Sequence, residues 1–399
     1  MVDAPWLTIV GLGEDGPDGL SPASRHALDT AKVVMGTTRH LTLLSDLEAK
    51  IIEWPVPFAD GLSILMRFRG QRVVVLASGD PFWFGAGAVI TRNLAPGEWH
   101  ALPGISTFSL AAARLGWPLQ HTLCIGLHAA PMTRLKPHLA PGVRAMVLLR
   151  DGGAVPILAD YLAGEGFGAT RLTIMEALGG PRERSTETRA ETLPDRTFAH
   201  PVVVAIEVAG TGSSVTCASG IDDSFFDTDG QITKRPVRAL ALSALAPRPF
   251  EMLWDIGGGA GSIAIEWLLA HPTTRVISIE ARPDRAVRIR TNANRLGVDR
   301  LRVVEGEVLA ALNGLTPPQA VFIGGGLSHE LLTDLTVRLA PGTRLIAHAV
   351  TLESETLLST WSERLGGSLL RIELSEALPL GAKRGWRATY PVVQWRVVL

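Results

Sequence analysis

The sequence predicts an α/β protein with two domains. Its 399 residues correspond to roughly two or three domains at about 150 residues each. Short β-branched segments alternate with helical segments in two separate series, a pattern that favours largely parallel sheets with crossover helices. Between the series, residues 209–219 are rich in Gly, Ser, Thr and Ala and carry no charge, which is typical of a linker. We therefore expect domains at 1–208 and 220–399.

In the first series, the β-branched segments predict strands and the segments between them predict helices. The predicted strands are Leu7–Val10, Arg72–Leu76, Thr122–Ile125, Arg144–Leu149, Arg171–Met175 and Val202–Val208, and the predicted helices are Pro22–Ala31, Ser106–Leu115 and Val155–Ala163.

The second series begins near Ile232. It follows a segment, 222–229, that carries four aspartates around Phe225 and Phe226 and that we expect to dock by its aromatic rings. The predicted helices are 235–245, 262–270, 283–296, 328–339 and 353–365, and the predicted strands are 252–256, 275–280, 301–304, 319–323, 343–350, 368–374 and 390–398.

Composition excludes several classes of protein. Lys and Arg number 38 against 39 Asp and Glu, a net charge of −1, whereas a nucleic-acid binder needs a basic face. Uncharged apolar runs stay below the 18 or so residues of a membrane-spanning helix, and residues 1–5 lack the layout of a secretory signal. The two cysteines, Cys124 and Cys217, have no metal-like spacing. We expect a cytoplasmic homo-oligomer without a nucleic-acid partner, a membrane anchor or a bound metal.

A glycine loop gives the strongest functional signal. Gly257, Gly259 and Gly261 follow one predicted strand and precede a helix. Glycine permits positive φ and a close approach of the backbone to a ligand, and a helix N-terminus presents unpaired N–H donors. Glu280 ends the next strand, where a carboxylate can accept hydrogen bonds from both hydroxyls of a ribose. The nicotinamide fingerprint would need glycine at 262, which is Ser262. A tight turn without a ligand is the alternative.

This G-x-G-x-G loop is similar to the S-adenosylmethionine (SAM) loop of class I methyltransferases. The resemblance rests also on Asp255 before the loop, Glu280 after it and 306–308 behind the third strand. It implies a Rossmann-like domain whose SAM-binding residues include Asp255, Gly257, Gly259, Gly261, Glu280, Glu307 and Val308. The fourth strand ends in glycines 324–326 instead of the motif of adenine and glutamine methyltransferases, which leaves room for a bulky substrate; a turn without substrate contact is the alternative.

Three loops in the first series, 11–16, 78–81 and 103–107, follow strands at the edge where open α/β sheets bind ligands. Each alone is an ordinary turn, but together with Arg39 they resemble the tetrapyrrole (corrin/porphyrin) methyltransferase family, which has two α/β lobes with SAM between them. The resemblance implies a second SAM site at Gly79, Asp80, Ser106 and Thr107, with Gly11 and Gly13 facing the tetrapyrrole. The first loop departs from the family pattern, with Glu14–Asp15–Gly16 where Pro-Gly-Asp is common.

The fusion of both halves resembles a bifunctional, decarboxylating methyltransferase family of cobalamin biosynthesis. The resemblance implies that Thr233 caps the C-terminal SAM site and that carbons 5 and 15 of a tetrapyrrole are methylated, one in each domain. It also implies that the C-terminal domain removes the carboxyl group of the ring C acetate. A meso carbon of a reduced tetrapyrrole is already nucleophilic, so alignment with the sulfonium methyl supplies much of the rate, and the sequence singles out no catalytic residue.

The carboxylates of such a substrate predict cations in the pocket, since Arg and Lys pair with carboxylates. The candidates are Lys234, Arg235, Arg238 and, in a predicted loop at 381–387, Lys383, Arg384 and Arg387; the alternative for each is a solvated surface charge. His348 is either a proton donor or a packed side chain, Trp83 is a candidate for stacking on a ligand, and Trp395 is expected in the core.

Two other functions stay open, a SAM-dependent methyltransferase for another small molecule or RNA and a non-catalytic scaffold that binds SAM or tetrapyrrole.

Overall fold

The computed structural model describes residues 5–45 and 47–399, and the chain divides into two compact units. The first unit is Met1–Pro131 with Ala140–Ser213, and the second is Met132–Leu139 with Ser214–Leu399. Residues 1–4, on which the expectation about a secretory signal rests, lie outside the described residues.

The first unit alternates strands and short helices, as its sequence predicts. Its elements are β1 (Leu7–Leu12), α1 (Pro22–Asp29), β2 (Val33–Gly36), α2 (Thr38–Thr42), β3 (Lys50–Glu53), α3 (Asp60–Met66), β4 (Val73–Ser78), α4 (Gly87–Thr91), β5 (Trp99–Leu102), α5 (Thr107–Leu115), β6 (Leu123–Gly126), β7 (Arg144–Leu148), α6 (Ala154–Gly164), β8 (Arg171–Glu176), β9 (Arg184–Arg189) and β10 (Val202–Glu207).

Two sheets organise the first unit, which confirms the predicted pair of lobes. The first sheet has the order β3-β2-β4-β1-β5 with parallel pairings. The second has the order β6-β7-β10-β8-β9, in which β6 and β7 are parallel and the other pairings are antiparallel. The second sheet therefore departs from the predicted parallel arrangement. In the first sheet β4, β1 and β5 are neighbours, so the three loops that follow them leave the same edge.

The second unit follows the predicted alternation and adds a hairpin. Its elements are α7 (Arg235–Leu245), β11 (Met252–Ile256), α8 (Ser262–Ala270), β12 (Arg275–Glu280), α9 (Pro283–Arg295), β13 (Arg302–Glu305), α10 (Val308–Ala311), β14 (Ala320–Ile323), α11 (His329–Arg338), β15 (Arg344–Ala349), α12 (Leu352–Leu365), β16 (Ser368–Ile372), β17 (Ser375–Leu380), β18 (Lys383–Ala388) and β19 (Val392–Val398).

One seven-stranded sheet, in the order β13-β12-β11-β14-β15-β19-β16, forms the centre of the second unit. Strands β11 to β15 pair in parallel, and β19 runs antiparallel to β15 and β16. The chain proceeds from β11 toward one edge of the sheet and from β14 toward the other. The crevice between the ends of β11 and β14 is thus a topological switch point, where open α/β sheets bind ligands.

Apolar side chains cover both faces of this sheet, as expected for parallel strands that are buried on both sides. Leu253 and Phe322 belong to the cluster under α7, α8 and α9, and Trp254 and Val321 belong to the cluster under α11 and α12. Trp395 lies in the second cluster, fully buried, as predicted.

The segment before α7 docks by its aromatic side chains, which confirms the expectation from the sequence. Phe226 is buried in the first cluster, and Phe225 packs against that cluster.

The largest error of the sequence prediction lies at 381–387, which is not a loop. The strands β17 and β18 form a two-stranded hairpin, and Lys383, Arg384 and Arg387 lie on β18. Most side chains on both strands are exposed, so neither strand shows the apolar alternation that predicts a strand.

A buried ion pair joins α7 to α8, and its hydrogen bonds also hold the segment before α7. Arg238 is fully buried and its Nε donates to Oε1 of Glu266, which is also buried. The same carboxylate accepts the backbone N–H of Gly220 at 2.6 Å and of Ile221 at 3.0 Å. The Nη1 of Arg238 donates to Asp223 Oδ1 at 2.9 Å, and the guanidinium also donates to the carbonyls of Ile221 and Thr233. The prediction that Arg238 faces the substrate is therefore wrong, because the side chain is fully buried and each of its three guanidinium nitrogens donates inside the protein.

Substitution of Arg238 by methionine should destabilise the chain by about 3–5 kcal/mol, because it leaves the Glu266 carboxylate buried without a partner. The matched control is Arg235→Met, since Arg235 is three residues away on the same helix and pairs with Asp222 at 3.6 Å, with both side chains more than half exposed. That surface pair is worth about 1 kcal/mol or less. Guanidinium unfolding of the full-length chain measures both losses, and equal losses would contradict the account.

Candidate functional site

The glycine loop after β11 adopts the backbone conformations that its spacing predicts. Gly257, Gly259 and Gly261 have φ values of +72°, +58° and +77°, which residues other than glycine rarely adopt. A Cβ atom at Gly257 would lie 2.6 Å from the backbone N of Gly325. The loop after β11 therefore touches the loop after β14 backbone to backbone, and glycine at 257 makes this contact possible.

Two carboxyl groups lie beside the loop. The Glu280 side chain accepts the backbone N–H of Gly259 at 2.9 Å and of Arg282 at 3.0 Å, which fixes it against the loop. Asp255 is buried and accepts from Ser278 Oγ at 3.0 Å. Burial raises the pKa of Asp255 to about 7, with the Ser278 hydrogen bond opposing the shift and the charge of Glu280 adding to it. Asp255 therefore keeps its proton to a much higher pH than an ordinary carboxyl group does.

Opposite the glycine loop, the segment 230–234 forms the other wall of the site. Side chains of α9 hold the chain just before this wall and at Gln231 within it. Asn292 is fully buried; its amide accepts from Asp227 N and donates to Asp227 O, each at 2.9 Å. Arg285 donates to Asp229 Oδ2 at 2.8 Å and to Gln231 Oε1 at 2.7 Å. Helix α9 thus anchors the chain at several points just before the wall.

A cavity of about 660 Å³ opens between the loop and this wall, within the range of roughly 300–1,000 Å³ for small-molecule sites. Residues at the ends of β11, β12 and β13 line one half of it, and residues from β14, β15 and β19 line the other. The predicted cofactor residues that line the cavity are Thr233, Asp255, Gly257, Gly259, Glu280, Glu307 and Val308. Gly261, the N-cap of α8, is absent from the lining; a Cβ there would lie 2.9 Å from the Ile289 side chain.

The predicted substrate cations are distributed differently. Lys234 lines the cavity, and so does Arg285, which the sequence analysis missed. Arg235, Lys383 and Arg384 are exposed and do not belong to the lining; Arg384 donates to Ala377 O of its own hairpin. Their assignment to the substrate stays a prediction.

His348 packs against Phe322 and also lines the cavity. Its Nε2 lies 3.0 Å from Oε1 of Gln394, and its ring meets Phe322 edge-on with centroids 4.9 Å apart. Burial lowers the pKa of His348, and the hydrogen bond to Gln394 acts in the opposite direction. The ring is therefore neutral at neutral pH.

In the first unit, the three predicted loops meet. The Gly79 N–H donates to Leu12 O and the Gly104 N–H donates to Gly79 O, each at 3.0 Å. A Cβ at Gly11 would lie 1.9 Å from Gly79 O and 2.3 Å from Gly104 N, so only glycine fits there. Gly13, Gly79 and Thr107 line a small cavity of about 50 Å³, whereas Gly11, Asp80 and Ser106 do not. Ser106 caps α5, and Asp80 accepts the N–H of Phe82. Trp83 lies against Phe108.

Charged side chains surround this small cavity. Glu14 is buried and bonds to Arg39 and, at 2.9 Å, to Arg182. Arg39 also donates to Ser78 Oγ at 2.6 Å. Burial, with the charge of Arg39 adding to it, lowers the pKa of the neighbouring His40 to about 3. This cavity, which Glu14 and Arg39 help to line, is too small for a nucleotide cofactor as it stands.

Several residues that the sequence predictions do not include nevertheless have features in the sequence that point to their roles. Glu266 is the one charged residue in the otherwise apolar or small helix Ser262–Ala270, and a lone buried charge requires a partner. Arg285 and Asn292 are seven residues apart, which places them on one face of a helix. Neither Glu14 nor Arg182 carried such a signal, since their contact spans 168 positions.

The described residues, 5–45 and 47–399, contain neither a membrane-spanning helix nor a cluster of metal ligands. None of their helices is both long and apolar enough to cross a membrane, and no group of three or more His, Cys, Asp or Glu among them is arranged to hold a metal ion.

Family models match both halves of the chain. The model of tetrapyrrole (corrin/porphyrin) methylases matches residues 6–194, and the model of a precorrin methyltransferase domain matches residues 224–399. Together with the switch-point cavity, the glycine loop and the carboxylate beside it, they define the chain as a SAM-dependent methyltransferase.

Relatives specify the family. A precorrin-6Y C(5,15)-methyltransferase [decarboxylating] of Sinorhizobium sp is 48% identical over 398 residues, 98% of this chain and 96% of that protein. The protein of the same name from Mycobacterium tuberculosis is 37% identical over 98% of this chain and 99% of that protein. The crystal structure of the C-terminal domain of precorrin-6Y C5,15-methyltransferase from Rhodobacter capsulatus is 52% identical, with a TM-score of 0.45, and covers 46% of this chain and 100% of that chain. The chain belongs to the precorrin-6Y C(5,15)-methyltransferase (decarboxylating) family.

Asp255→Asn tests the raised pKa of the buried carboxyl. Because its native pKa is about 7 and its ordinary value is 3.8, the native state binds a proton between these pH values that the unfolded state has released, so the stability of the wild type falls as pH rises from about 4 to 7. Asparagine does not titrate. The free energy of unfolding of Asp255→Asn relative to wild type should therefore rise over this window and stay level above it.

Urea unfolding between pH 4 and 8 measures this difference. The contrasting control is Asp284→Asn, because the hydrogen bond from Arg282 lowers the pKa of that exposed carboxyl and the sign of any trend is opposite. A difference between Asp255→Asn and wild type that does not change with pH would contradict the assignment.

Proposed function

We propose that the chain methylates carbons 5 and 15 of precorrin-6Y and removes carbon dioxide from the ring C acetate to give precorrin-8, as a step of cobalamin biosynthesis. The observation that carries this proposal is the 660 Å³ cavity at the switch point of the second unit, which joins a nucleotide-type loop to a second, largely apolar half. The relatives that match almost the whole chain are named for this reaction, and the relatives described here give no support to an RNA methyltransferase or a scaffold.

The first half of the cavity fits SAM. Positive φ at Gly257 and Gly259 favours glycine, and because glycine has no Cβ atom the backbone there can approach the cofactor closely. Each oxygen of Glu280 accepts one backbone N–H, and a carboxylate has about four acceptor positions, so two are left for the ribose hydroxyls. Glu307 and Val308 follow β13 at the position proposed for the adenine, with Thr233 on the opposite wall. SAM supplies an electrophilic methyl group when it is bound there.

The second half of the cavity fits one face of a macrocycle. Gly324, Gly325 and Gly326 contribute no side chains, and Ile372, Leu374 and Val392 are apolar. Lys234 at the rim of the lining is the cation we propose for a substrate carboxylate, with Arg235, Lys383 and Arg384 as more peripheral candidates. The protein orients the ring and excludes water, and the alignment of the reacting carbons supplies much of the rate.

We propose two SAM sites, one in each of the predicted domains 1–208 and 220–399. Convergence of the loops at Gly11, Gly79 and Gly104 supports the first site, with Gly79, Asp80, Ser106 and Thr107 toward SAM and Gly11 and Gly13 toward the tetrapyrrole. The cavity there measures about 50 Å³, so the site must open to bind SAM. A protein of Salmonella typhimurium named cobalt-precorrin-6B C(15)-methyltransferase (decarboxylating) matches only 40% of this chain, which supports one domain carrying both the C15 methylation and the decarboxylation. We assign these to the second domain.

We also propose a homo-oligomer in the cytoplasm without a nucleic-acid partner. Leu380 and Trp386 on the β17–β18 hairpin are 70% and 79% exposed, which supports contact with a second copy, and both cysteines are free, as is usual in a reducing compartment. The net charge of −1 offers little to a nucleic acid. The mass of the chain in solution tests the oligomer.

Mass spectrometry of products tests the proposed reaction and its division. The full-length chain is used because residues 132–139 cluster with the second unit, from which a cut at 208 would separate them. With precorrin-6Y and SAM, the wild type should add two methyl groups and lose one carbon dioxide. Gly259→Val should add one methyl group without loss of carbon dioxide, because a side chain at Gly259 enters the open cradle.

The control is Gly314→Val, since Gly314 has a similar φ of +72° and open space around it but lies outside the cavity lining. Its products should equal those of the wild type. An unchanged substrate mass with the wild type would refute the proposed reaction, and loss of carbon dioxide with Gly259→Val would refute its assignment to the second domain.

A further inference from the structure

The half of the cavity opposite the SAM loop contains one partly buried titratable side chain. Among the described residues that line this half, from β14 to the end of the chain, His348 and Tyr390 can titrate. Tyr390 is 89% exposed. His348 is partly buried. It comes from the end of β15, across the glycines 324–326 from the SAM loop, and its place on the sheet brings it near the proposed substrate position.

The surroundings of His348 fix its ring and its tautomer. Strands β15 and β19 place His348 directly opposite Gln394, whose side chain is buried. With Oε1 of Gln394 accepting at 3.0 Å, Nε2 of His348 carries the hydrogen and Nδ1 is the basic atom. The edge contact with Phe322 holds the ring from a second direction. A neutral imidazole fixed in one tautomer is suited to take up a proton and return it.

Three carboxyl groups line the other half of the cavity, and one of them, Glu307, follows β13 at the position proposed for the adenine. Glu280 is bonded to the backbone of Gly259 and Arg282, and Asp255 is bonded to Ser278 beneath the loop. Both lie at the strand ends proposed for SAM. They are therefore poorly placed to move a proton on the macrocycle.

The chemistry proposed for this domain releases one proton and consumes one, an argument that rests on the proposed function. When the new C–C bond forms at the meso carbon, the C–S bond to the methyl group breaks. The C–H bond at that carbon then returns its electron pair to the ring, and a proton leaves. Loss of carbon dioxide from the acetate leaves an electron pair on the methylene carbon, and this carbon takes up a proton to become a methyl group. The two proton transfers balance.

We propose that His348 carries this proton: its Nδ1 accepts it from the newly methylated meso carbon and delivers it to the carbon that carbon dioxide has left. His348 is then a catalytic residue of both steps. A single imidazole suffices because the resting ring is neutral, ends the cycle neutral, and holds the proton at one nitrogen while the other stays bonded to Gln394. The apolar lining of Ile372, Leu374 and Val392 keeps water from competing for the proton.

Isotope retention tests the proposal directly. Substrate carrying deuterium at the meso carbon that the second domain methylates is converted in ordinary water by the full-length wild type. The new methyl group on ring C should then carry deuterium well above the solvent background. Complete washout of the label in wild-type product would overturn the proposal.

Two variants complete the test. His348→Gln should slow both the C15 methylation and the release of carbon dioxide by about 10²–10⁴-fold and abolish label retention in residual product, with the affinity for S-adenosylhomocysteine unchanged. The control His329→Gln, at an exposed histidine of the same domain that lies outside the cavity lining, should keep rate and label. A His348→Gln rate equal to wild type would overturn the proposal, whereas a wild type that neither methylates nor decarboxylates would instead refute the proposed function.

Discussion

The buried pair between Arg238 and Glu266 is the interaction on which the rest of the second unit depends. Burial of two charges is costly unless the geometry and additional hydrogen bonds compensate. Here the additional hydrogen bonds also fix the backbone of the neighbouring segments. Glu266 fixes the backbone at Gly220 and Ile221, and Arg238 fixes the carbonyl of Thr233. Together with α9, the pair thus sets the chain that becomes the wall of the cavity, so the fold of the domain and the shape of its site are coupled.

The topology of the sheet explains why the two halves of the cavity have different chemistry. Strands β12 and β13 lie on one side of β11, and β14, β15 and β19 lie on the other. The first group ends in polar residues suited to a nucleotide, and the second ends in glycines, apolar side chains and one histidine. A cofactor and a flat ring that bind on either side of the switch point meet above Gly257 and Gly325. Such an arrangement catalyses mainly by orientation, which is worth roughly 7–11 kcal/mol in favourable cases.

Sequence patterns predicted the elements with strong periodicity and the site residues that follow them. The loop 257–261 and Glu280 were found because glycine spacing and strand ends have local signatures. In the first unit the sequence indicates only the three loops. It does not indicate the ion pairs of Glu14, because their partners are far apart in the chain. Arg238 was misassigned because a cation before a strand looks exposed, although it shares a helix face with the buried Leu242 and Leu245. The hairpin was missed because its stability comes from backbone pairing between polar, exposed segments.

The central proposal is that the chain holds two separate sites for the same cofactor, one in each unit, and that the first, with its cavity of about 50 Å³, is closed as the structure stands. Isothermal titration of the full-length chain with S-adenosylhomocysteine counts these sites most directly. The account predicts two molecules bound per chain for the wild type, with unequal affinities, the weaker belonging to the closed site. A stoichiometry of one, with no second site even at saturating ligand, would contradict it.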